Sequence, residues 1–395
     1  MNRNSCDLKV ASVLDIERYA ADLQRQFLRR IGYTNGLHKI RRFARVVQYL
    51  YPIMPTSAAL LAQIIIREEN LREENKERPL KGTRYATGII DVCGALGLLE
   101  RFGRKIALSS EGYACHALSE LHAGAAAIDG FLLERIIDAD GEYFLNILRI
   151  VSEGITDVVA VGSELIHRFT EAIRYKQQWV TEHVPTRYAQ KVIQELLSDS
   201  IRTLEKATAS SDARLIDFFF KHTVNPRIEW LQDLGCLNET EGVTSVTQKG
   251  AALLAEIREL GGWADFGVFL PLNSWLSTQL AIPSMYEGSK ADGFSWRLVA
   301  ASSGVVSQSD LPRRNREVLL RRIKEIYPAV KLANFNEADA ASIYHVLAAL
   351  EAIKALALSE SEFYDVLTTL VEEFPSDIFK LSKRRGHGLY IALKK

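Results

Sequence analysis

The chain contains 395 residues, of which 47% are hydrophobic and 25% are charged. This composition excludes a mainly disordered protein, and the length corresponds to roughly two or three domains. Apolar runs are shorter than the roughly eighteen residues that cross a bilayer, and the first residues lack the pattern of a secretory signal. The four cysteines are far apart and form no C-x-x-C pair, which argues against a disulfide framework or a zinc ribbon. We therefore expect a cytoplasmic protein without a membrane partner.

Basic and acidic residues cancel at 49 each, but they are segregated along the chain. Residues 1–50 contain ten basic and four acidic residues, whereas residues 111–165 contain ten acidic and two basic residues. Residues 380–395 contain six basic residues and no acidic residue. Charge runs often form solvated helix faces, but segregated charge can also present basic surfaces to a polyanion while an acidic block faces elsewhere.

The first predicted elements are three helices. Two are expected at 39–50 and 58–69, and a Pro-Thr-Ser sequence opens the second, because its hydroxyl groups can cap the helix. A third, amphipathic helix is expected from about 83 to 96. It ends at Gly97, since glycine adopts a left-handed cap without strain.

A β-hairpin follows, with strands at 98–102 and 106–108 around a Gly-Arg-Lys turn. The sequence from the helix end through this hairpin recurs 138 residues later without a gap. The matching pairs are Leu96 and Leu234, Gly97 and Gly235, Leu108 and Val246, Ser109 and Thr247, and Gly112 and Gly250. The second copy is therefore expected to contain strands at 236–238 and 243–246, with helices before and after them.

Residues 129–188 lie between the two copies and are predicted to form a mostly helical bridge. Within it, Asp138–Glu142 lacks the full ligand series of a calcium loop and is interpreted as an acidic turn that breaks a helix. After the second copy, seven aromatic residues lie between 263 and 297 among glycines and prolines. They predict an irregular packed connector or, alternatively, an aromatic surface for a partner protein or for bases.

A third, looser copy is expected at the end of the sequence. Helices at 338–357 and 360–373 precede strands at 377–381 and 389–393, which flank a basic turn. The order is again helix, helix and two-stranded hairpin, with glycines in the turn.

Helix, hairpin and helix in this order form the second half of a winged helix-turn-helix, and the preceding helices supply its first half. The chain therefore resembles tandem winged-helix DNA-binding proteins over about 35–125 and 185–260, and more loosely over 337–395. It is similar to the recognition regions of type IIS restriction enzymes and to bacterial transcription regulators. The resemblance implies a mainly α fold with short β-hairpins, in which two or three winged-helix modules are joined by helical bridges.

The expected organisation has five parts, of which the first, third and fifth are the winged-helix modules. The boundaries are 1–125, 126–186 (helical bridge), 187–262, 263–336 (aromatic-rich connector and basic helix) and 337–395.

The resemblance implies that the recognition helix and the wing of each module contact DNA. Readout of the major groove requires hydrogen-bonding side chains on the exposed first turns of that helix. Arg84 would address guanine, while Lys81 and Thr83 would contact phosphate. The acidic wing of the second module favours a structural or dimerising copy over an equal reader. The expected DNA contacts are Lys81, Thr83, Arg84, Tyr85, Thr87, Arg101, Arg104, Lys105, Arg227, Lys383, Arg384 and Arg385.

Motifs for nucleotide binding, zinc proteases and serine hydrolases are absent from the sequence. His116, Glu120 and His122 lie near one helix, but three such residues without further ligands do not predict a metal site. We expect a non-catalytic protein that binds double-stranded DNA without a cofactor or metal, as a regulator or as the recognition subunit of a restriction or phage-defence complex. Other protein subunits or a second copy of the chain would be its protein partners.

Two other interpretations stay open. One is an interaction scaffold whose winged helices contact protein within a multi-subunit complex. The other is an unrecognised metal-dependent nuclease, although such a core needs acids and a lysine on adjacent strands and the predicted strands are few.

Overall fold

The structure is a computed structural model. It describes residues 28, 30–32, 34, 37, 39–72, 79–80, 82–183, 187–209, 220–240, 243–259, 313–332, 336–350, 360–384 and 387–394. Within these ranges the chain is mainly helical, with twelve α-helices and three small antiparallel sheets. The predicted class, mainly α with small antiparallel β elements, is confirmed.

The first hairpin unit, residues 41–108, contains three helices and a three-stranded sheet. Its elements are α1 (Arg41–Leu50), β1 (Thr56–Ser57), α2 (Ala58–Asn70), α3 (Thr83–Ala95), β2 (Leu99–Phe102) and β3 (Lys105–Leu108). Strand β3 lies in the middle of the sheet and pairs antiparallel with both β1 and β2. Ser57 caps α2 as the sequence predicts, because its hydroxyl oxygen accepts a hydrogen bond from the N–H of Leu60 at 3.2 Å.

Four helices follow the first unit and carry the centre of the core. They are α4 (Ser110–Glu120), α5 (Ala125–Ser152), α6 (Val158–His183) and α7 (Arg187–Ala209). Helix α5 is buried along most of its length and contacts α1, α4 and α6. A helix surrounded by protein needs apolar residues on more than one face, and α5 has them.

The second hairpin unit, residues 220–246, is smaller than the first. It contains one π-helical turn (Phe220–Val224), α8 (Asn225–Asp233), β4 (Leu237–Thr240) and β5 (Val243–Val246), and α9 (Gln248–Glu259) follows it. Helix α8 and strand β5 both pack against α5. The second unit is therefore built into the centre of the molecule.

The third hairpin unit, residues 313–393, repeats the element order of the first. Its elements are α10 (Arg313–Val330), β6 (Ala338–Asp339), α11 (Ala340–Ala349), α12 (Glu360–Glu373), β7 (Ile378–Arg384) and β8 (His387–Leu393). The sheet order β6-β8-β7 corresponds to β1-β3-β2 of the first unit.

The third unit differs from its sequence prediction at its start. The sequence predicts a helix from Ala338, whereas β6 occupies the first two of these residues and α11 begins after it. Helix α10, which the sequence assigns to the connector, packs against α11 and α4. The aromatic stretch between 263 and 297 lies outside the described residues.

The first and second units share their hairpin geometry at the offset of 138 residues. The four cross-strand pairs of β2 with β3 recur in the same register between β4 and β5. Gly97 and Gly235 follow the preceding helices with φ angles of 77° and 72°. This left-handed region favours glycine, as the sequence predicts for a helix end.

The residues that close the two hairpins also correspond. The hydroxyl oxygen of Ser109 accepts a hydrogen bond from the N–H of Gly112 at 3.0 Å, and that of Thr247 accepts one from Gly250 at 3.1 Å. Each hydroxyl donates in turn to the carbonyl oxygen of the glycine at the preceding helix end. A Cβ atom at Gly112 or Gly250 would collide with the carbonyl oxygen of the residue before the first strand. Both units therefore require glycine at this position.

The acidic residues of α5 do not form an exposed block. Four of them are buried, and each pairs with a basic residue. The pairs are Asp129 with Arg41, Glu134 with Arg135, Asp140 with Arg227, and Glu142 with Lys176. The predicted acidic turn at Asp138–Glu142 is wrong, because these residues lie in the middle of α5. Basic partners take the place of the water that such carboxylates would otherwise need.

Candidate nucleic-acid interface

Helix α3 has one buried and one exposed face. Its buried side chains pack against α1 and α2 and include Ala86, Ile89, Ile90, Val92 and Cys93. Its exposed residues are Thr83, Arg84, Thr87 and Asp91. Steps of three and four residues place Arg84, Thr87 and Asp91 on the same side of the helix. A stripe of hydrogen-bonding side chains therefore faces solvent.

The first turn of α3 presents a cation and unpaired N–H groups together. The helix begins after Gly82, which has a φ angle of 96°, and the Thr87 hydroxyl donates to the carbonyl oxygen of Thr83 at 2.9 Å. Arg84 is exposed and forms no ion pair with any residue that the structure describes. A helix N-terminus favours anions. Lys81, also predicted as a DNA contact, lies outside the described residues.

A buried carboxylate holds α3 against α1 and α2. Glu69, in the last turn of α2, is fully buried and accepts hydrogen bonds from Arg42, Arg45 and Tyr49 at 2.7–2.9 Å. Arg42 also donates to the hydroxyl oxygen of Tyr85 at 2.8 Å and lies 5.8 Å from the centre of that ring. Tyr85, predicted to contact DNA, is half-buried in this Glu69 cluster and holds the first turn of α3 in place.

The charge state of Glu69 follows from its neighbours. Burial alone would raise the pKa of Glu69. The hydrogen bonds and charges of Arg45 and Arg42 outweigh burial, so the pKa lies below its usual range and the carboxylate is ionised at neutral pH. Sequence reasoning missed this residue. Glu69 continues the buried stripe of Leu61 and Ile65 at a spacing of four residues, and a charged residue on an apolar stripe is the sign that could have revealed it.

The β2–β3 hairpin lies beside the exposed face of α3. Arg101 on β2 donates to the carboxylate of Asp91 on α3 at 2.8 Å, and the two side chains are 62% and 57% exposed. A groove of about 240 Å³ separates helix and hairpin. Its lining residues are Ile90, Asp91, Gly94, Leu99, Arg101 and Ile106. The ion pair offsets the negative charge on the exposed face of the helix.

The hairpin carries cations on both of its sides. Because side chains alternate along a strand, Arg101 lies on the α3 side, and Phe102 and its cross-strand partner Lys105 lie on the opposite side. Arg104 follows Gly103, whose φ angle is 60°, in the two-residue turn. Arg104 and Lys105 are exposed and form no ion pair within the described ranges. The structure thus brings Arg101 to α3 and leaves the other two cations at the tip.

Helix α8, which corresponds to α3 in the second unit, has no exposed residue among Asn225–Asp233, all of which are described. The prediction that Arg227 contacts DNA is wrong, because its side chain is fully buried. Its guanidinium donates to both carboxylate oxygens of Asp140, at 2.6 and 2.8 Å, and to two backbone carbonyls. The offset of 138 residues places Arg227 at the position of Ile89, a core residue of α3. Aligning the two copies residue by residue would have revealed its burial.

The third unit combines an acidic helix with a basic hairpin. Helix α12 contains no basic residue, and its acidic residues are Glu360, Glu362, Asp365, Glu372 and Glu373. The backbones of Lys383 and Arg384 lie in β7, but their side chains and the whole of Arg385 lie outside the described part of the chain. Of the three cations predicted here, the structure therefore locates only the backbones of Lys383 and Arg384.

The described ranges contain no group of three or more His, Cys, Asp and Glu residues arranged to hold a metal ion. Burial raises the pKa of Cys115 to about 12, so the thiol stays protonated at neutral pH. Burial also lowers the pKa of His116, whose ring stacks on Tyr51 with 3.7 Å between the ring centres. These two residues serve the packing between α4 and its neighbours.

The exposed face of α3 and the adjacent hairpin tip are the candidate interface. Within the described residues, none of the helices combines the length and the apolar character needed to cross a membrane. A comparison of the chain with protein-family models, curated proteins and solved structures finds no match.

Proposed function

We propose that the chain binds double-stranded DNA through its first hairpin unit and does not itself catalyse a reaction. The observation that carries this proposal is the exposed face of α3. Its Arg84 has no ion-pair partner among the described residues, and the neighbouring hairpin exposes Arg101, Arg104 and Lys105. The order helix, strand, helix, helix and hairpin, with β3 central in the sheet, supports an interpretation of this unit as a winged helix.

The dimensions of α3 suit the major groove. An α-helix with its side chains is about 10–12 Å wide, and the major groove of B-DNA is about 12 Å wide. Arg84 would donate two hydrogen bonds to the O6 and N7 atoms of guanine, and Thr83 would reach a phosphate near the helix N-terminus. Thr87 lies one turn further along the same side. Asp91 would repel phosphate less than a free carboxylate, because Arg101 pairs with it.

The hairpin would supply contacts that do not depend on sequence. Arg104 and Lys105 at its tip suit phosphates that flank the groove occupied by α3. The Glu69 cluster supports this arrangement, since it fixes the first turn of α3 through Arg42 and Tyr85. Lys383, Arg384 and Arg385 would add a second basic hairpin to the same protein.

The biological role that we propose rests on the resemblance of the sequence alone. By that resemblance the protein acts as a regulator or as the recognition subunit of a restriction or phage-defence complex. The second unit, whose helix is buried, would be a structural copy. Further protein subunits, or a second copy of this chain, would complete the assembly.

The test is a titration of a fluorescently labelled DNA duplex with the full-length protein at several salt concentrations. The logarithm of the association constant should fall linearly with the logarithm of salt, by about 0.9 for each phosphate contacted. The triple variant Arg84→Ala/Arg104→Ala/Lys105→Ala should bind about a hundredfold more weakly and lower the slope by about two units.

A matched control removes an exposed arginine elsewhere. Arg174 lies on the exposed side of α6 and forms no ion pair within the described ranges. Arg174→Ala should change the affinity by less than about twofold. Binding that is insensitive to salt, or an equal loss in Arg174→Ala, would contradict the proposed interface.

The acidic composition of α12 supports one alternative, an interaction scaffold that contacts protein. This helix occupies in the third unit the place of α3 in the first, yet it carries five acidic residues and no basic one. Asp365 and Glu372 are exposed, whereas Glu373 pairs with Arg316. Exposed carboxylates repel phosphate and suit a basic protein partner. A wild-type protein that binds no duplex at low salt would favour this alternative over DNA binding.

A nuclease is the third candidate, and one incubation tests it. The purified protein is mixed with supercoiled plasmid and either Mg²⁺ or Mn²⁺, and the plasmid is then run on a gel. We expect intact plasmid, because the described ranges contain no group of three or more His, Cys, Asp and Glu residues arranged to hold the metal ion. Nicked or linear plasmid would make the protein an enzyme.

A further inference from the structure

The tip of the first hairpin carries an exposed aromatic ring. Phe102, the last residue of β2, is 48% exposed and directly precedes the turn that begins at Gly103. It pairs across the hairpin with Lys105 and lies between Arg101 and Arg104 in sequence. Water around an exposed ring is released when a partner covers it, so burial of the Phe102 ring in a partner is favourable in free energy.

The charges around Phe102 select the kind of partner. Two cations flank the ring, Lys105 across the hairpin and Arg104 in the turn, while Glu100 lies on the same side two residues earlier. An apolar ring between two cations fits a partner with anionic edges and an apolar interior. A groove of DNA has this composition, because its walls are phosphate backbones and its floor consists of stacked base pairs. Proteins that bind the minor groove insert phenylalanine and other apolar side chains between base pairs in this way.

The second hairpin provides a comparison within the same chain. In the shared register, Thr240 stands at the position of Phe102, Glu239 at that of Arg101, and Val243 at that of Lys105. The ring and its cations are therefore absent from the unit whose helix α8 is buried. They occur together in the unit whose helix α3 has an exposed face.

We infer that Phe102 is a wedge that inserts between two base pairs from the minor groove while α3 occupies the adjacent major groove. This inference rests on the proposed function. Since a helix fills the major groove, the hairpin beside it lies over the flanking backbone, and its tip reaches the next minor groove. Arg104 and Lys105 contact the two phosphate walls, and the Phe102 ring partly unstacks the bases between them.

The test uses full-length protein and duplexes of roughly two helical turns, each carrying one 2-aminopurine at successive positions of one strand. The fluorescence of 2-aminopurine rises when the base loses its stacking. Wild-type protein should raise it severalfold at neighbouring positions. Phe102→Ala should abolish the rise at every position and weaken binding about tenfold, with an unchanged salt slope because no charge is altered.

A control variant removes an apolar side chain of similar exposure elsewhere. Leu60 on α2 is 47% exposed, and Leu60→Ala should leave both the fluorescence rise and the affinity unchanged. Phe102→Leu should keep part of the rise, since leucine also acts as an apolar wedge. Thermal unfolding verifies that each variant folds, as expected for exposed positions.

The outcomes separate this inference from the function on which it rests. Wild-type protein that shifts the duplex on a gel without any fluorescence rise overturns the wedge and leaves DNA binding intact. An undiminished rise with Phe102→Ala also overturns it. Wild-type protein that binds no duplex overturns both.

Discussion

The first and second hairpin units share one backbone plan and differ in what they expose. Strand register, helix-ending glycines and closing hydroxyl groups correspond at an offset of 138 residues. Yet α3 exposes Arg84 and Thr87, whereas His222 and Asn225, at the same positions of the second unit, are half-buried. A few residues within each hairpin thus determine its strand register and its closure. The elements packed around it determine which of its residues are exposed.

We expect the largest effect at Arg227, which occupies in the second unit the position that Ile89 occupies in the first. Arg227→Ile leaves the Asp140 carboxylate without its cation in a fully buried site. We expect a loss of about 3–5 kcal/mol in the free energy of unfolding, measured by chemical denaturation.

A double variant shows that the charge causes this loss. Arg227→Ile with Asp140→Asn removes both charges and keeps an acceptor for the N–H of Ile31, which donates to Asp140 at 2.7 Å. It should recover much of the stability. If Arg227→Ile were fully stable and bound DNA weakly, Arg227 would be a DNA contact after all, and the contrast between the units would disappear.

A smaller effect is expected at Glu69, a buried carboxylate that accepts hydrogen bonds from arginines of the first unit, as Asp140 on α5 accepts them from Arg227 of the second. Glu69→Gln should lower the free energy of unfolding at neutral pH by about 2–3 kcal/mol, because Arg42 and Arg45 lose a charged acceptor. The pKa of Glu69 in the folded protein lies below its usual value of 4.5. Its stabilising contribution is therefore complete above pH 4.5 and is lost as the pH falls through the folded value.

Denaturation of wild type and Glu69→Gln across a pH series measures this contribution. The difference between the two proteins should be largest at neutral pH and should shrink in acid below pH 4.5. A difference that stays constant with pH would mean that the carboxylate acts through its shape and not through its charge.

We expect the smallest effect at Gly112 and Gly250. These two glycines test whether the two hairpins are closed in the same way. A Cβ atom at either position collides with a backbone carbonyl oxygen. Gly112→Ala and Gly250→Ala should each cost about 1–3 kcal/mol of stability, by similar amounts. The two losses should add because the glycines lie in different helices, α4 and α9, and their nearest neighbours are different residues. If one of the two changes were neutral, the units would not share their closure.

The sequence predicts well what neighbouring residues decide. The Ser57 cap of α2 and the left-handed Gly97 depend on a few adjacent positions, and both are confirmed. The strands expected at 98–102 and 106–108 lie at Leu99–Phe102 and Lys105–Leu108. Such features need no knowledge of the rest of the fold.

The wrong predictions concern residues whose burial and pairing depend on distant parts of the chain. Asp138–Glu142 looks like a solvated turn until Arg227, 87 residues from Asp140, supplies a buried partner. Arg227 itself looks like a DNA-binding cation for the same reason. The sequence around Asp140 gives no sign of Arg227, and the sequence around Arg227 gives no sign of Asp140.

The carboxylate of Asp140 also governs which shortened forms of the protein can be studied. Arg227 bonds both to it and to the backbone of Ile31, 196 positions earlier. During synthesis, the backbone carbonyl of Ile31 cannot accept this hydrogen bond until Arg227 has left the ribosome. A fragment cut after the first unit lacks Asp140 and its helix, and a fragment cut before residue 227 keeps the acid but loses its cation. Truncation is therefore a poor way to isolate the α3 surface, and point substitution in the intact polypeptide is the sound one.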